Sequence, residues 1–316
     1  MRTSMRKAFV GVTDRDWYEF LSSRLDLTEV NFWQPGGKIR FKALSPGELF
    51  LFKLHSPNNF IVGGGFFATS SLLPLSLAWD TFGPMNGVAS LPEMRKRVER
   101  FRSVPARPHE DFTIGNVVLD QTFFLRREAW IPVPSDFSLN IVQGKTYDLD
   151  SGTGKELWTA LEARLRQHSV ISVQKNVAEG VVGRMFSDPV LARRRLGQGA
   201  FRILVTDTYE RQCAVTREHT LPVLQAAHIR PVTQAGEHAV SNGLLLRSDV
   251  HTLFDRGYVT ITPDLKFRVS PRLKDDWQNG KIYYQLDGQP IHVPKDPSHR
   301  PDGRQLEWHA DTVFLR

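Results

Sequence analysis

Cysteine is nearly absent from this sequence, because Cys213 is the only one among 316 residues. A single thiol excludes an internal disulfide and any zinc site built from cysteines alone. The composition therefore fits a reducing compartment and argues against thiol redox chemistry. We interpret Cys213 as a small buried residue.

The N-terminal region has no long apolar run. Asp14 and Asp16 interrupt it before an apolar stretch reaches the length of a signal peptide or a membrane helix. We therefore expect a cytoplasmic protein without a membrane partner. Hydrophobic residues still make up 41% of the chain, enough for ordinary packed cores and without the composition of a disordered protein.

Acidic residues are fewer than basic ones. The 34 Asp and Glu residues stand against 41 Lys and Arg residues, which leaves a formal net charge of +7. Such a balance favours an anionic partner, since Lys and Arg neutralise phosphates and release counterions, although many basic proteins bind no nucleic acid. The length of 316 residues predicts two domains.

Strand patterns dominate residues 1–150. KAFVGVT reads as a buried strand, and Asp14 is placed to cap the helix that follows. Two apolar runs on either side of SPNN predict a β-hairpin. The three glycines at positions 63–65 indicate a bulge or, alternatively, close approach of the backbone to a ligand. We predict a mixed, strongly curved β domain with helices at its margin.

Residues 151–196 lack strand alternation and predict a helical connector between the two domains. They contain GKELWTALEARLRQHS and the basic stretch LARRRL. Two interpretations of this basic stretch stay open. It contacts phosphates, or it forms only a solvated helix face, through Arg193, Arg194 and Arg195.

A histidine, an asparagine and a second histidine follow at spacings that suit one compact site. VLQAAHI reads as a strand that ends in His228, and a polar loop leads to the turn pair Asn242-Gly243 and a second strand, LLL. Ser248 is placed to cap a helix that carries His251, and Gly257 to end that helix. Farther along, the sequence predicts one hairpin about Pro263-Asp264, another about Asp287-Gly288, and a terminal helix.

This strand, strand and helix arrangement suits hydrolysis of a phosphodiester with one metal ion. A neutral imidazole takes a proton from water at physiological pH, which suits His228 as the general base. A divalent ion bound through His251 would stabilise charge on the phosphorus and the leaving oxygen. Asn242 would brace the loop through backbone hydrogen bonds. The alternative, two histidines that are satisfied core residues, is less favoured because of the joint spacing.

AAHI, NGLLL and DVHTLFDRG resemble the HNH (ββα-metal) endonuclease family over about residues 197–273. The pattern is similar, more narrowly, to McrA-like modification-dependent restriction enzymes, in which a reader of modified cytosine precedes the nuclease. The resemblance implies His228 as base, Asn242 as structural residue and His251 as metal ligand. It implies Mg²⁺ or Mn²⁺ as cofactor, with Zn²⁺, Co²⁺ and Ni²⁺ as alternatives. Many HNH nucleases place an acidic residue or histidine just before the base, whereas this chain has Ala227 there, so Gln225 is the candidate for an additional oxygen ligand.

The opening strand, NFWQP, GELFLFKL and IVGGGFF together resemble the PUA-like group, in its EVE and ASCH branches. That resemblance implies a curved β-barrel whose pocket holds a modified or flipped base. Trp33 and Trp79 are then the candidate walls of the pocket, and Asp80 a candidate acceptor for an exocyclic amino group. The alternative is that these aromatic side chains belong to the core.

The combined prediction is an α+β protein with a PUA-like reader in residues 1–150, a connector in 151–196 and an HNH endonuclease domain in 197–316. We expect a modification-dependent, type IV-like restriction endonuclease that acts on double-stranded DNA carrying modified cytosine. A homodimer is one way to cut both strands. Two alternatives stay open: an HNH nuclease whose first domain senses RNA or a nucleotide signal, and a non-catalytic DNA-binding protein with a decayed metal site.

Overall fold

A computed structural model of the chain describes residues 6–24, 27, 29–138, 140–166 and 196–316, together with the backbone of residues 170–171. The chain divides into two compact units, Met1–Arg194 and Arg195–Arg316. Within the described parts, none of the helices combines the length and the apolar character needed to cross a membrane.

The first unit is built on one mixed sheet. Its strands are β1 (Lys7–Thr13), β2 (Glu29–Gln34), β3 (Leu49–Leu54), β4 (Phe60–Pro74), β5 (Thr113–Leu125), β6 (Ile131–Pro132), β7 (Gly144–Asp148) and β8 (Val170–Ile171). The strand order is β2-β5-β4-β3-β1-β7, with β6 on β4 and β8 on β5. Among these described strands, β1 and β3 form the parallel pair.

Both faces of this sheet are covered, which explains why the strands read as continuous apolar runs. Along β3, Leu49 and Leu51 lie in one core, whereas Phe50 and Phe52 lie in the other. Side chains of β1 alternate in the same way. The hairpin of β3 and β4 and the predicted opening strand are confirmed.

The helices of the first unit are α1 (Arg15–Ser22), α2 (Leu75–Phe82), α3 (Leu91–Phe101) and α4 (Gly152–Arg166). Asp14 caps α1 as predicted, since its carboxylate accepts from the backbone N–H of Trp17 at 2.7 Å. Helix α4 differs from the prediction of a connector. Its apolar residues Leu157, Leu161 and Leu165 are buried in the core of the first unit, so that unit continues past residue 150.

The glycines at 63–65 serve close packing between strands. A Cβ on Gly63 would lie 2.3 Å from the carbonyl oxygen of Phe123, and one on Gly64 would lie 2.6 Å from that of Phe50. The register of β4 against β5 shifts between Gly64 and Phe66. Such bulges bend a strand and increase its local twist. Among the described strands, however, no pairing joins β2 to β7, so the sheet that they form is open and not a closed barrel.

The second unit contains two hairpins among short helices. Its strands are β9 (Leu224–His228), β10 (Gly243–Arg247), β11 (Val259–Ile261) and β12 (Phe267–Val269), and its helices are α5 (Gln198–Thr208), α6 (Ser248–Asp255), α7 (Arg272–Trp277), α8 (Lys281–Tyr284) and α9 (Gly303–Thr312). The hairpins β9-β10 and β11-β12 and the terminal helix α9 confirm the corresponding predictions.

Two local predictions in this unit were wrong. The hairpin expected about Asp287-Gly288 is instead helix α8 followed by a turn, with an isolated bridge between Lys266 and Pro290. Ser248 does not cap α6: it is the first helical residue, Arg247 holds the capping position, and no side chain makes a capping hydrogen bond at this described helix. Gly257 does follow the end of α6 with a φ of +77°.

Candidate active site

His228, Asn242 and His251 are carried by one strand, strand and helix unit. Strands β9 and β10 pair antiparallel, with His228 opposite Gly243. Asn242 directly precedes β10, and α6 follows β10 without a gap, so that His251 lies near the start of that helix. His251 acts electrostatically on His228. The three predicted site residues therefore belong to the same small region of the second unit.

Asn242 is buried, with 3% of its surface exposed. Both the oxygen and the nitrogen of its side-chain amide bond to the backbone of the loop of residues 229–242. Its Oδ1 accepts from the backbone N–H of Arg230 at 3.0 Å. Its Nδ2 donates to the carbonyl oxygens of Arg230 and Glu237, both at 2.9 Å. Because Arg230 lies two residues after His228 and Glu237 lies one residue before His238, a single amide positions the backbone beside both histidines.

His228 is half-buried between an aromatic ring and a second histidine. The ring of Phe201 on α5 stacks on it, with centroids 4.0 Å apart and planes at 9°. His228 Nε2 lies 3.0 Å from His238 Nδ1. Burial, followed by the charges of His238 and His251, lowers the pKa of His228 to about 4. The ring is therefore neutral at physiological pH and has a lone pair available for a proton.

His251 is contacted from both sides of its ring. Its Nδ1 lies 2.7 Å from Oε1 of Gln225, and its Nε2 lies 3.3 Å from Oδ2 of Asp255, one turn along α6. Since an amide oxygen only accepts, Nδ1 carries the ring proton and Nε2 keeps its lone pair when the ring is neutral. Gln225 thus orients the imidazole. Ala227 is fully buried, so it does not share the environment of exposed Gln225.

The donors around His251 fit a divalent cation with few protein ligands. Within the described residues, no group of three or more His, Cys, Asp or Glu side chains could hold a metal. However, the Nε2 lone pair of His251 and the carboxylate of Asp255 face each other at 3.3 Å, and two acceptors at this distance repel unless a proton or a cation lies against them. Mg²⁺ commonly uses one or two protein ligands and takes the rest from water and substrate phosphate.

Cys213 has a structural position. It is fully buried, and its Sγ accepts from the backbone N–H groups of Thr216 at 3.3 Å and Arg247 at 3.2 Å. Arg247 also pairs with Asp249, which accepts from the Tyr283 hydroxyl. The hydrogen bonds from Arg247 lower the pKa of the Asp249 carboxyl to about 2. This network fixes the start of α6 and hence the helix that carries His251.

His309 is a buried packing residue beneath the same helix. Its ring stacks on Phe254 at 3.7 Å, and its Nε2 lies 3.1 Å from the Phe254 carbonyl oxygen. A carbonyl only accepts, so Nε2 carries the proton and Nδ1 accepts from the Thr260 hydroxyl at 2.9 Å. Burial lowers the pKa of His309 to about 4.

The other predicted residues lie elsewhere. Trp33 is on β2, where its indole N–H donates to the carbonyl of Asn86 at 3.0 Å, and Trp79 and Asp80 are on α2. Arg193, Arg194 and Arg195 lie outside the described residues.

A buried amide cluster beside Trp33 escaped the sequence reasoning. Asn31 Nδ2 donates to Oδ1 of Asn86 and of Asn116, at 2.9 and 2.7 Å. These asparagines are separated by long stretches of chain, so no local pattern joins them.

The sequence reasoning also missed His238 and Phe201, which the structure brings to the ring of His228. Neither falls in a recognisable motif. The one available signal for His238 was a third histidine in the loop between the two strands.

Comparison with known proteins supports the interpretation of the second unit. Residues 213–262 match the family model described as HNH endonuclease, which confirms the predicted HNH domain over this segment. The matched segment contains His228, Asn242 and His251. The chain therefore carries an endonuclease domain. No curated protein matches the sequence.

Several solved structures show weaker likeness. A mutant form of the ASCH protein from Zymomonas mobilis is 12% identical and covers 49% of this chain and 99% of its own, with a TM-score of 0.34. The ASCH protein from the same organism is 10% identical and covers 48% of this chain and 94% of its own, with a TM-score of 0.33. The modification-dependent TagI restriction endonuclease is 14% identical and covers 93% of this chain and 79% of its own, with a TM-score of 0.31. At these TM-scores the likenesses carry no argument about function.

Proposed function

We propose that this protein is a metal-dependent DNA endonuclease that hydrolyses phosphodiester bonds at the unit formed by β9, β10 and α6. The observation that carries the proposal is the coincidence of the HNH match over residues 213–262 with one neutral histidine, one loop-bracing asparagine and one helix-borne histidine in that unit. Each residue type has a distinct role in such a reaction.

His228 is the general base in this proposal. Its lowered pKa keeps the imidazole unprotonated throughout the physiological range, so its lone pair is available to take a proton from the attacking water. The same low pKa makes the ring a weaker base than a free imidazole. An anionic phosphate bound beside it would raise the pKa again, because a nearby negative charge favours the protonated ring.

His251 and Asp255 are the residues that would hold the divalent ion, Mg²⁺ or Mn²⁺, and Gln225 would orient His251 through its Nδ1 proton. When bound, the ion supplies positive charge at the phosphate and the leaving oxygen. Asn242 maintains the loop so that His228 faces the substrate position. Since one such site cuts one strand, a double-strand break requires two visits or a homodimer.

The first unit is the proposed reader of modified cytosine in double-stranded DNA, with Trp33, Trp79 and Asp80 as candidate contacts. The physical reason is that contacts to phosphate and sugar carry little sequence information, so selectivity needs a separate binding surface. Trp33 and Trp79 are partly exposed, and an indole ring that a ligand can reach is able to stack on a base.

The test is digestion of matched duplexes that contain cytosine, 5-methylcytosine, 5-hydroxymethylcytosine or glucosylated cytosine, with Mg²⁺ or Mn²⁺. Single-stranded RNA of the same sequence is included. The full chain is compared with His228→Ala, His251→Ala and His219→Ala. His219 is an exposed histidine of the second unit, so its variant controls for the loss of any imidazole.

We expect cleavage that needs the ion, falls by about 10²-fold to 10⁴-fold in His228→Ala and persists in His219→Ala. Preference for one modified duplex would support the reader. Equal cleavage of all duplexes would remove the reader proposal and leave the nuclease. No cleavage of any substrate would favour a non-catalytic DNA-binding protein and contradict the proposed activity.

A further inference from the structure

His238 contacts the proposed base from the loop between the two strands. The Nδ1 atom of His238 lies 3.0 Å from Nε2 of His228, and the two rings meet edge to face with centroids 4.9 Å apart. Phe201 also lies against both rings, at 4.0 and 5.7 Å between centroids. The pair is therefore packed in place and is not a chance approach of two exposed side chains.

The backbone on both sides of this pair is held by the same buried amide. Asn242 donates to the carbonyl of Glu237, the residue before His238, and contacts both backbone polar groups of Arg230, two residues after His228. Separation of the two backbone segments would break these hydrogen bonds. The Asn242 amide thus holds the backbone beside the two histidines, and Phe201 packs against both rings.

One proton can lie between His228 Nε2 and His238 Nδ1, and its position decides whether His228 can act as a base. If His238 Nδ1 carries it, His228 Nε2 accepts, and the proton of neutral His228 must then be on Nδ1, which leaves no lone pair for water. If His228 Nε2 carries it, His228 Nδ1 has the free lone pair. A working base requires the second arrangement.

We propose that His238 is a positioning residue for His228, which holds the proton on Nε2 of His228 and then accepts that proton during the reaction. This inference rests on the proposed function. Water loses a proton to Nδ1 of His228, the Nε2 proton of His228 passes to Nδ1 of His238, and the Nε2 proton of His238 leaves to solvent. One proton is released for each hydroxide formed, and both rings end neutral.

The charges around the pair agree with this path. Burial lowers the pKa of both histidines, so neither ring is charged before the reaction at neutral pH. The titratable groups that act on His228 are His238 and His251, while α5 presents the uncharged ring of Phe201. His238 is half-exposed, which gives its distal nitrogen a route for proton exchange with water.

The kinetic test compares His238→Ala and His238→Asn with the parent on the preferred duplex, and His219→Ala is the control. Asparagine places an amide oxygen near the position of Nδ1, so it accepts from His228 Nε2 but takes no proton. We expect His238→Ala to lower kcat by about 10-fold to 100-fold, the range found for partners that orient metal-bound histidines, with KM changed less than about twofold. His238→Asn should recover only the part of this loss that comes from orientation, because it keeps the hydrogen bond from Nε2 but cannot take the proton.

A measurement without substrate keeps the inference separate from the proposed activity. Long-range ¹H–¹⁵N correlation spectra of the full chain at pH 7 report which nitrogen of His228 carries the proton. We expect the Nε2–H form in the parent and in His238→Asn, and a mixture of both forms in His238→Ala. The Nδ1–H form in the parent would overturn the inference.

The outcomes distinguish the two proposals. If the parent cleaves DNA, His228→Ala does not, and His238→Ala cleaves at the parental rate, only the role of His238 is refuted. An unchanged Nε2–H form of His228 in His238→Ala would also refute it, because the hydrogen bond to His238 would then not determine where the proton of His228 lies. If the parent cleaves nothing, the proposed activity fails and the proton path fails with it.

Discussion

Replacing Asn242 by aspartate is the change that tests most directly how the site is held. The two side chains have nearly the same shape, so packing is preserved while Nδ2 becomes an oxygen. The Oδ1 contact to the Arg230 N–H at 3.0 Å survives. The two donations from Nδ2 to the carbonyls of Arg230 and Glu237 are replaced by oxygen atoms that face oxygen atoms.

The expected cost follows from those two contacts. Leaving a buried polar group without its partner costs about 1–3 kcal/mol, so two orphaned carbonyls predict a loss of about 2–6 kcal/mol in the free energy of unfolding of the second unit. Repulsion from the carbonyl oxygens raises the folded-state pKa of the introduced carboxyl above its unfolded value of about 3.9. The folded form then binds the proton more tightly, so the cost is smallest at acid pH and grows as the pH rises through the raised pKa.

The assay is urea unfolding, monitored by hydrogen exchange of peptides from residues 224–247. These peptides report on the β9-β10 hairpin alone. Asn279→Asp is the matched control, because Asn279 is exposed and its Oδ1 accepts from the N–H of Gly280, a contact that a carboxylate keeps. Each variant is compared with the parent at the same pH. If Asn242→Asp and the control differ by less than about 1 kcal/mol in the free energy of unfolding at pH 7, the Asn242 amide does not hold the loop.

Three further predictions concern the framework of the site. Gly257→Ala should destabilise the chain more than Gly288→Ala in thermal unfolding. The two glycines have similar φ values of +77° and +75°, but only at Gly257 would a Cβ meet backbone, 2.1 Å from the Val313 carbonyl oxygen. Equal losses of stability in the two variants would contradict this reasoning. Acidification should weaken the second unit: His309 has a folded pKa of about 4 against about 6.5 unfolded, so the unfolded form binds more protons between these values and stability falls by up to about 3 kcal/mol as the pH drops from 7 to 4. His309→Phe should flatten that slope in urea titrations at several pH values, and an unchanged slope would refute the assignment. Cys213→Ala should lower the melting temperature by leaving two N–H groups without an acceptor while the ion dependence of cleavage stays parental, and a changed ion requirement would contradict the structural role of the thiol.

Local sequence was sufficient for the elements that carry the site. The strand ending at His228, the strand after Asn242-Gly243, and the helix with His251 follow from apolar periodicity and turn residues, which act over a few positions. The same holds for the cap at Asp14 and for the hairpin of β3 and β4. Periodicity misled at residues 281–290, where short apolar runs suit a strand and a short helix equally well.

Contacts between distant positions required the tertiary structure. His238 reaches His228 because the Asn242 amide folds a loop whose own residues show no period, and Gln225 reaches His251 across 26 positions. Helix α4 belongs to the first unit because its leucines are buried in the core of that unit, whereas its sequence alone predicted a connector. The spacing of apolar residues within a segment predicts which of its faces is buried. The environment that orients an imidazole or lowers its pKa comes from residues that only folding brings together.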